Sequence, residues 1–161
     1  MTLPCKTICI VFFYLLLTPV WARAQDEASL ETGKTLYTTG RWTEAETAFR
    51  EAVVRQPRSA LTHYWLGLSL YAQERDKEAL KHFQQAIKHD AKRAEGYLGV
   101  GLVYLRTPKR RINAREAIQT ATRLDPDNAS IQYTLALTYL DRSQLSVTRD
   151  YGMFIDGQKY L

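Results

Sequence analysis

Beyond residue 24 the chain has no cysteine. Both of its cysteines, Cys5 and Cys9, stand near the N-terminus, so the remainder can form no disulfide, thiolate nucleophile or cysteine-ligated metal site. Stability must then come from packing alone. Histidine is also scarce, with only His63, His82 and His89 present. His82 and His89 are two helical turns apart, about 10.5 Å and too far to share a metal ion. Neither a histidine nor a carboxylate follows His82 at the third or fourth residue. The histidines therefore read as solvated or capping side chains, and no metal or cofactor is expected. Glycine-rich phosphate loops, activated-nucleophile motifs and metal-protease motifs are missing as well. An enzyme acting by its own chemistry is the least favoured class. Charge of one sign is in short supply too: the net +5 falls to +3 once Lys6 and Arg23 are set aside with the first 24 residues. Such a small excess argues weakly for an acidic partner and gives no ground for nucleic acid.

What is present begins with an N-terminal export signal. Lys6 precedes an apolar run from Ile8 to Leu17, Thr18-Pro19 breaks it, and Ala22-Arg23-Ala24 supplies the small-x-small pattern of a signal peptidase site. As a helix, that run covers about 15 Å, half of a hydrocarbon core of about 30 Å. A cleaved signal peptide over 1–24 is expected, with export to a periplasmic or secreted location. Membrane contact would arise only if the segment were left uncleaved.

The rest is periodic. Gly33, Gly67 and Gly101 recur every 34 residues, Ala45 and Ala79 likewise, with Ala114 one residue later. Phe49, Phe83 and Ile118 keep the same register, as do Ala52, Ala86 and Ala121, and Pro57, Ala91 and Pro126 close each unit. One extra residue within Thr107–Arg111 explains every shift, and Ala136 then takes the glycine position of a fourth unit. Physically this is a helix–turn–helix whose small residues permit close approach and whose bulky residue fills the wedge between pairs. Three in-register helical glycines, each costing about 1 kcal/mol against alanine, imply such a packing role. Helices are expected near 27–39, 42–55, 60–73, 76–89, 94–106, 111–123 and 129–140.

These segments, GKTLY with its following A, F, A and P (33–57), WLGLSLY with EAL, F and AI (65–87), and GYLGVGLVYL through DP (96–126), resemble tetratricopeptide repeats. Thr32 and Ser29 depart from the family's usual large residues, and the fourth unit supplies a first helix only. The resemblance implies an all-α, right-handed α-solenoid of three full repeats plus a half, about 26–59, 60–93, 94–128 and 129–142. A tail or cap over 143–161 would follow.

The same resemblance implies that first helices line a concave groove. Matching positions are Leu30, Lys34 and Tyr37; Leu61, Tyr64, Leu68 and Tyr71; Glu95, Leu98, Leu102 and Leu105; and Tyr133, Leu137 and Leu140. A wall this rich in leucine and tyrosine suits a peptide or helix with hydrophobic anchors. Two readings of it stand: a partner protein docks there, or the wall packs against the chain's own helices and tail. The clamp by which some relatives hold acidic chaperone termini is absent, because its positions carry Leu30, Lys34, Trp65, Glu95 and Gly99. The basic group Arg106, Lys109, Arg110, Arg111 and Arg115 is either a solvated turn or a patch for an acidic protein, anionic lipid or, least favoured, nucleic acid. Asn128-Ala129-Ser130 fits a glycosylation acceptor but reads first as a helix start. The expected function is a non-catalytic interaction scaffold binding another protein or peptide. Self-assembly as a homo-oligomer, or service as an accessory subunit of an envelope or secretory enzyme complex, are the alternatives.

Overall fold

The computed structural model describes residues 28–139, and every regular element in that span is helical. Helix α1 covers 28–38; α2 (Trp42–Arg55), α3 (Ala60–Ala72), α4 (Asp76–His89), α5 (Ala94–Arg106), α6 (Arg111–Leu124) and α7 (Ala129–Leu137) follow. The expected boundaries hold to within three residues wherever they fall in this span. The expected signal peptide and C-terminal tail lie outside the described residues.

Local chemistry explains the punctuation. Gly40 has φ +77° and Glu74, 34 residues on, repeats that left-handed turn with φ +61°. In both, the next amide reaches back to close the helix end: Arg41 N donates to Leu36 O at 2.9 Å and Arg75 N to Leu70 O at 3.0 Å. A glutamate in this conformation carries backbone strain that glycine avoids. The third turn differs because the extra residue is taken up by a 3-10 turn at Pro108–Arg110. Ser59 caps α3 by accepting from Thr62 N, and Asn128 caps α7 by accepting from Ser130 N and Ile131 N. The helix-start reading of Asn128 is correct.

Consecutive helices from α2 to α7 pack on one another, and α3 also touches α5 while α5 touches α7. No two second helices are in comparable contact. The stack therefore bends with the first helices on its inner side. Two apolar clusters fill it, one built around Phe49, Leu66, Leu70 and Phe83, the other around Ile118, Ala121 and Ile131.

Close approach at glycine sets the spacing. A Cβ added to Gly33 would lie 2.5 Å from the Phe49 ring, and one on Gly67 2.6 Å from the Phe83 ring. The same atom on Gly99 would meet Phe83 at 2.2 Å, and on Gly101 would meet Ile118 at 2.3 Å. Phe83 is thus clasped between Gly67 of its own pair and Gly99 of the next, with no exposed surface. Ala45, Ala79 and Ala114 are equally buried, as their small size in the repeat requires.

A buried carboxylate joins the first two repeats. Glu46 on α2 accepts from Arg50 at 2.5 Å, Arg75 at 2.6 Å and Gln73 at 2.7 Å. Arg75 grips Glu78 with two further bonds of 2.8 and 2.6 Å. Two arginines thereby neutralise two glutamates where α2 meets the α3–α4 turn, and a buried charge needs such partners.

Gly99→Ala is expected to lower stability by about 1–3 kcal/mol despite alanine's better helix propensity, because Phe83 cannot move aside. Combining it with Phe83→Leu should cost less than the sum of the single changes. Urea unfolding of the four proteins checks this; strict additivity would mean that the two residues do not interlock.

Candidate functional site

The inner wall includes a helix that is apolar nearly all round. α3 (ALTHYWLGLSLYA) buries nine of its residues, so its groove-side residues are the outer part of a core rather than an isolated stripe. The structure sorts the expected groove residues into two groups. Tyr37, Leu61, Tyr64, Tyr71, Leu102 and Leu105 are half-buried and pack on the core while keeping accessible surface. Tyr133 and Leu137 of α7 are half-buried too. Leu68 and Leu98 are 3% and 8% exposed. These two lie beneath the wall and hold it up, offering a partner little surface.

An aromatic cluster marks the first half of the groove. Trp65 stacks on Phe49 at 5.9 Å and meets Tyr37 and Tyr64 edge-on at 5.7 and 5.8 Å. Lys34 Nζ lies 5.6 Å from the Trp65 ring centre while also paired with Glu31 at 2.7 Å. Trp65 is 8% exposed, and its indole N–H finds no acceptor. The clamp positions accordingly hold no carboxylate site: Trp65 is buried, Gly99 is covered by Phe83, and Glu95 faces Arg93 at 3.8 Å.

The basic group is neither simply solvated nor a free patch. Arg106 lies 3.6 Å over the Tyr71 ring, donates to Tyr71 O at 2.8 Å and pairs with Asp76 at 2.7 Å. Burial pushes the Tyr71 hydroxyl pKa up, with Arg106 opposing the shift. Arg110 sits over Tyr104 at 5.2 Å, and Arg115 over Tyr139 at 4.4 Å while donating to Thr138 O. Three of the five cations are thus spent on the chain's own tyrosines.

The histidines correct the sequence expectation most sharply. His63 is 6% exposed and so is not solvated. Its Nδ1 lies 3.1 Å from His82 Nδ1, its Nε2 3.1 Å from Pro57 O, and its ring stacks with His89 at 5.4 Å. Burial first, then the neighbouring His63, Lys81 and Arg50, lower the His82 pKa to about 4, and burial lowers that of His63. Spacing along one helix could not find this group, because His63 enters from α3 between two residues of α4. Among the described residues, no three histidine, cysteine or acidic side chains converge on a metal position, and no helix is long and apolar enough to cross a membrane.

Comparison with known proteins fits this architecture. Residues 30–94 match the tetratricopeptide repeat family model. The BBSome complex member BBS4 homolog of Drosophila melanogaster is 28% identical over 137 residues, covering 77% of this chain and 28% of its own length. This chain thus spans little more than a quarter of that relative. The second such domain of human RPAP3, solved in complex with the HSP70 peptide SGPTIEEVD, superposes with a TM-score of 0.65 at 18% identity, covering 74% of this chain and 99% of that domain. The Yersinia enterocolitica type III secretion chaperone SycD, in complex with a peptide of the translocator YopD, gives 0.61 at 14% identity, covering 70% and 90%. At these identities the solved structures establish the fold.

Leu68→Ala is expected to cost about 2–5 kcal/mol of folding stability, as a deleted core side chain does, while Leu102→Ala costs about 1 kcal/mol. Thermal or urea unfolding separates them; equal, small losses would move Leu68 out of the core.

Proposed function

We propose that this tetratricopeptide-repeat chain is a non-catalytic scaffold that holds a segment of another protein along the inner side of its stack. The observation that carries the reading is the row of half-buried tyrosines and leucines on α1, α3, α5 and α7. Tyrosine presents large area with two side-chain torsions, so ordering it on binding costs little entropy. Arg106, Arg110 and Arg115 are already engaged by the chain's own groups, which leaves apolar and aromatic contact as the main means of recognition. That favours an amphipathic helix or an extended segment with hydrophobic anchors over an acidic peptide. Two structural relatives were solved holding peptides of other proteins, which supports peptide binding as such, although the acidic SGPTIEEVD of the first differs from the apolar segment proposed here.

The exported location is part of the reading. Its support is the Lys6 flank, the Ile8–Leu17 run and the Ala22-Arg23-Ala24 pattern. Mass spectrometry of the recovered chain is expected to show an N-terminus at Gln25; an intact Met1 or Thr2 would contradict a cleaved signal peptide.

The binding claim is tested by affinity capture with the full chain and with a Tyr64→Ala, Leu102→Ala variant, both changes sparing the deep core. A protein recovered by the first and depleted at least tenfold with the second, whose far-ultraviolet dichroism is unchanged, is the expected result. Equal recovery by both would remove the groove from the account. Recovery of the chain alone, with a mass that rises with concentration, would make self-assembly the function.

A further inference from the structure

The three histidines form a group that the scaffold reading leaves unused, and their geometry fixes where the protons sit. A carbonyl only accepts, so His63 Nε2 donates to Pro57 O across 3.1 Å. A neutral imidazole has one N–H, and His63 Nδ1 therefore presents a lone pair. It faces His82 Nδ1 at 3.1 Å, which makes His82 the donor. The rings are 23° from parallel with centroids 5.4 Å apart, so the two nitrogens meet head-on along the line between ring centres. Two ligands of one tetrahedral metal ion would instead point at a common third position. The arrangement is a hydrogen-bond relay from the turn at Pro57, through α3, to α4.

Such a relay has a definite proton capacity. His82 can take up one proton and still donate from Nδ1, so the bond survives. A second proton, on His63 Nδ1, sets two N–H groups against each other. His63 has no alternative site, since its Nε2 is engaged and His89 stacks 5.4 Å away at 17° from parallel. We propose that the His63–His82 pair is an acid-opened latch: neutral, it ties the Pro57 turn and α3 to α4, and the second proton releases both.

The surroundings favour the neutral state. Arg50 of α2 and Lys81 of α4 add positive charge near the pair, and the His89 ring of α4 lies beside His63. Glu78 of α4 is the acid on the other side of the balance, and it is held by Arg75, which with Arg50 also engages Glu46. Both histidines have pKa values lowered on folding from 6.5, His82 to about 4. The unfolded chain therefore binds protons first. Stability from the latch is complete above pH 6.5 and is lost as pH falls towards about 4. The consequence for binding rests on the scaffold reading: Tyr64, next to His63, is part of the groove wall, so opening the latch loosens that wall in the second repeat.

The test uses the full chain and a His82→Gln variant, whose side-chain amide keeps a donor for His63 Nδ1 but cannot titrate. Histidine ring protons are followed by NMR, and urea unfolding is measured at pH 7.5 and pH 5. In the full chain, His63 and His82 should titrate below 6.5 in coupled steps. Its unfolding constant should rise about tenfold more between the two pH values than that of the variant, the full shift being discounted because His82 is half-exposed and screened. Amide protection in α3 and α4 should fall on acidification before that of α6. Midpoints near 6.5 for both rings, or the same pH dependence in both proteins, would overturn the latch. None of these three readouts involves a partner, so failure of the scaffold reading would leave this result intact.

Discussion

The close contact between an aromatic ring and a bare helix backbone governs this molecule. Phe83, fully buried, fills the space that missing side chains leave at Gly67 and Gly99. Phe49 does the same at Gly33, and Ile118 at Gly101. Because one ring touches glycines of two successive pairs, the contact sets both the separation within a pair and the step to the next. The inner row of first helices follows from that step. In a stack where each unit meets only its neighbours, there is no larger core to absorb an error at one such contact. With no cysteine beyond residue 24, no covalent crosslink within the repeats takes over that role.

Electrostatics plays a different part from the one a basic composition implies. Glu46 is buried between Arg50 and Arg75, and Arg106 lies between Tyr71 and Asp76. These charges join one helix pair to the next. They are unavailable for steering a distant acidic partner, whatever the formal excess of cations. Most of what remains accessible on the inner side is tyrosine and leucine, so recognition there depends mainly on shape and apolar area.

Much of this was legible in the sequence, and the boundary of what was legible has a physical basis. The 34-residue register that sets Gly33, Gly67 and Gly101 against Phe49, Phe83 and Ile118 located the three contacts within helix pairs, because small and large residues must coincide for helices to approach. The insertion near Pro108 was visible as a phase shift and appears as a 3-10 turn. Periodicity identifies a helix face but not the depth of a residue on it, so Leu68 and Leu98 looked like groove wall and lie in the core. Contacts between helices depend on rotation and stagger, which a single segment does not encode. His63 with His82 and His89, Glu46 with Arg75, and Arg106 with Tyr71 all belong to that class. Gly99 was overlooked for a related reason: it lies outside the repeated glycine position and acts on the preceding pair.

The proposed seat of a partner protein is the inner side of the stack. Site-directed photo-crosslinking measures this most directly. A photoreactive phenylalanine analogue is placed at position 64 on the inner wall, or at position 54, where Val54 is 81% exposed on a second helix. Irradiation in the native compartment should give a discrete adduct with a second protein from position 64 and none from position 54. Adducts from position 54 alone, or indistinguishable adducts from both, would contradict the account.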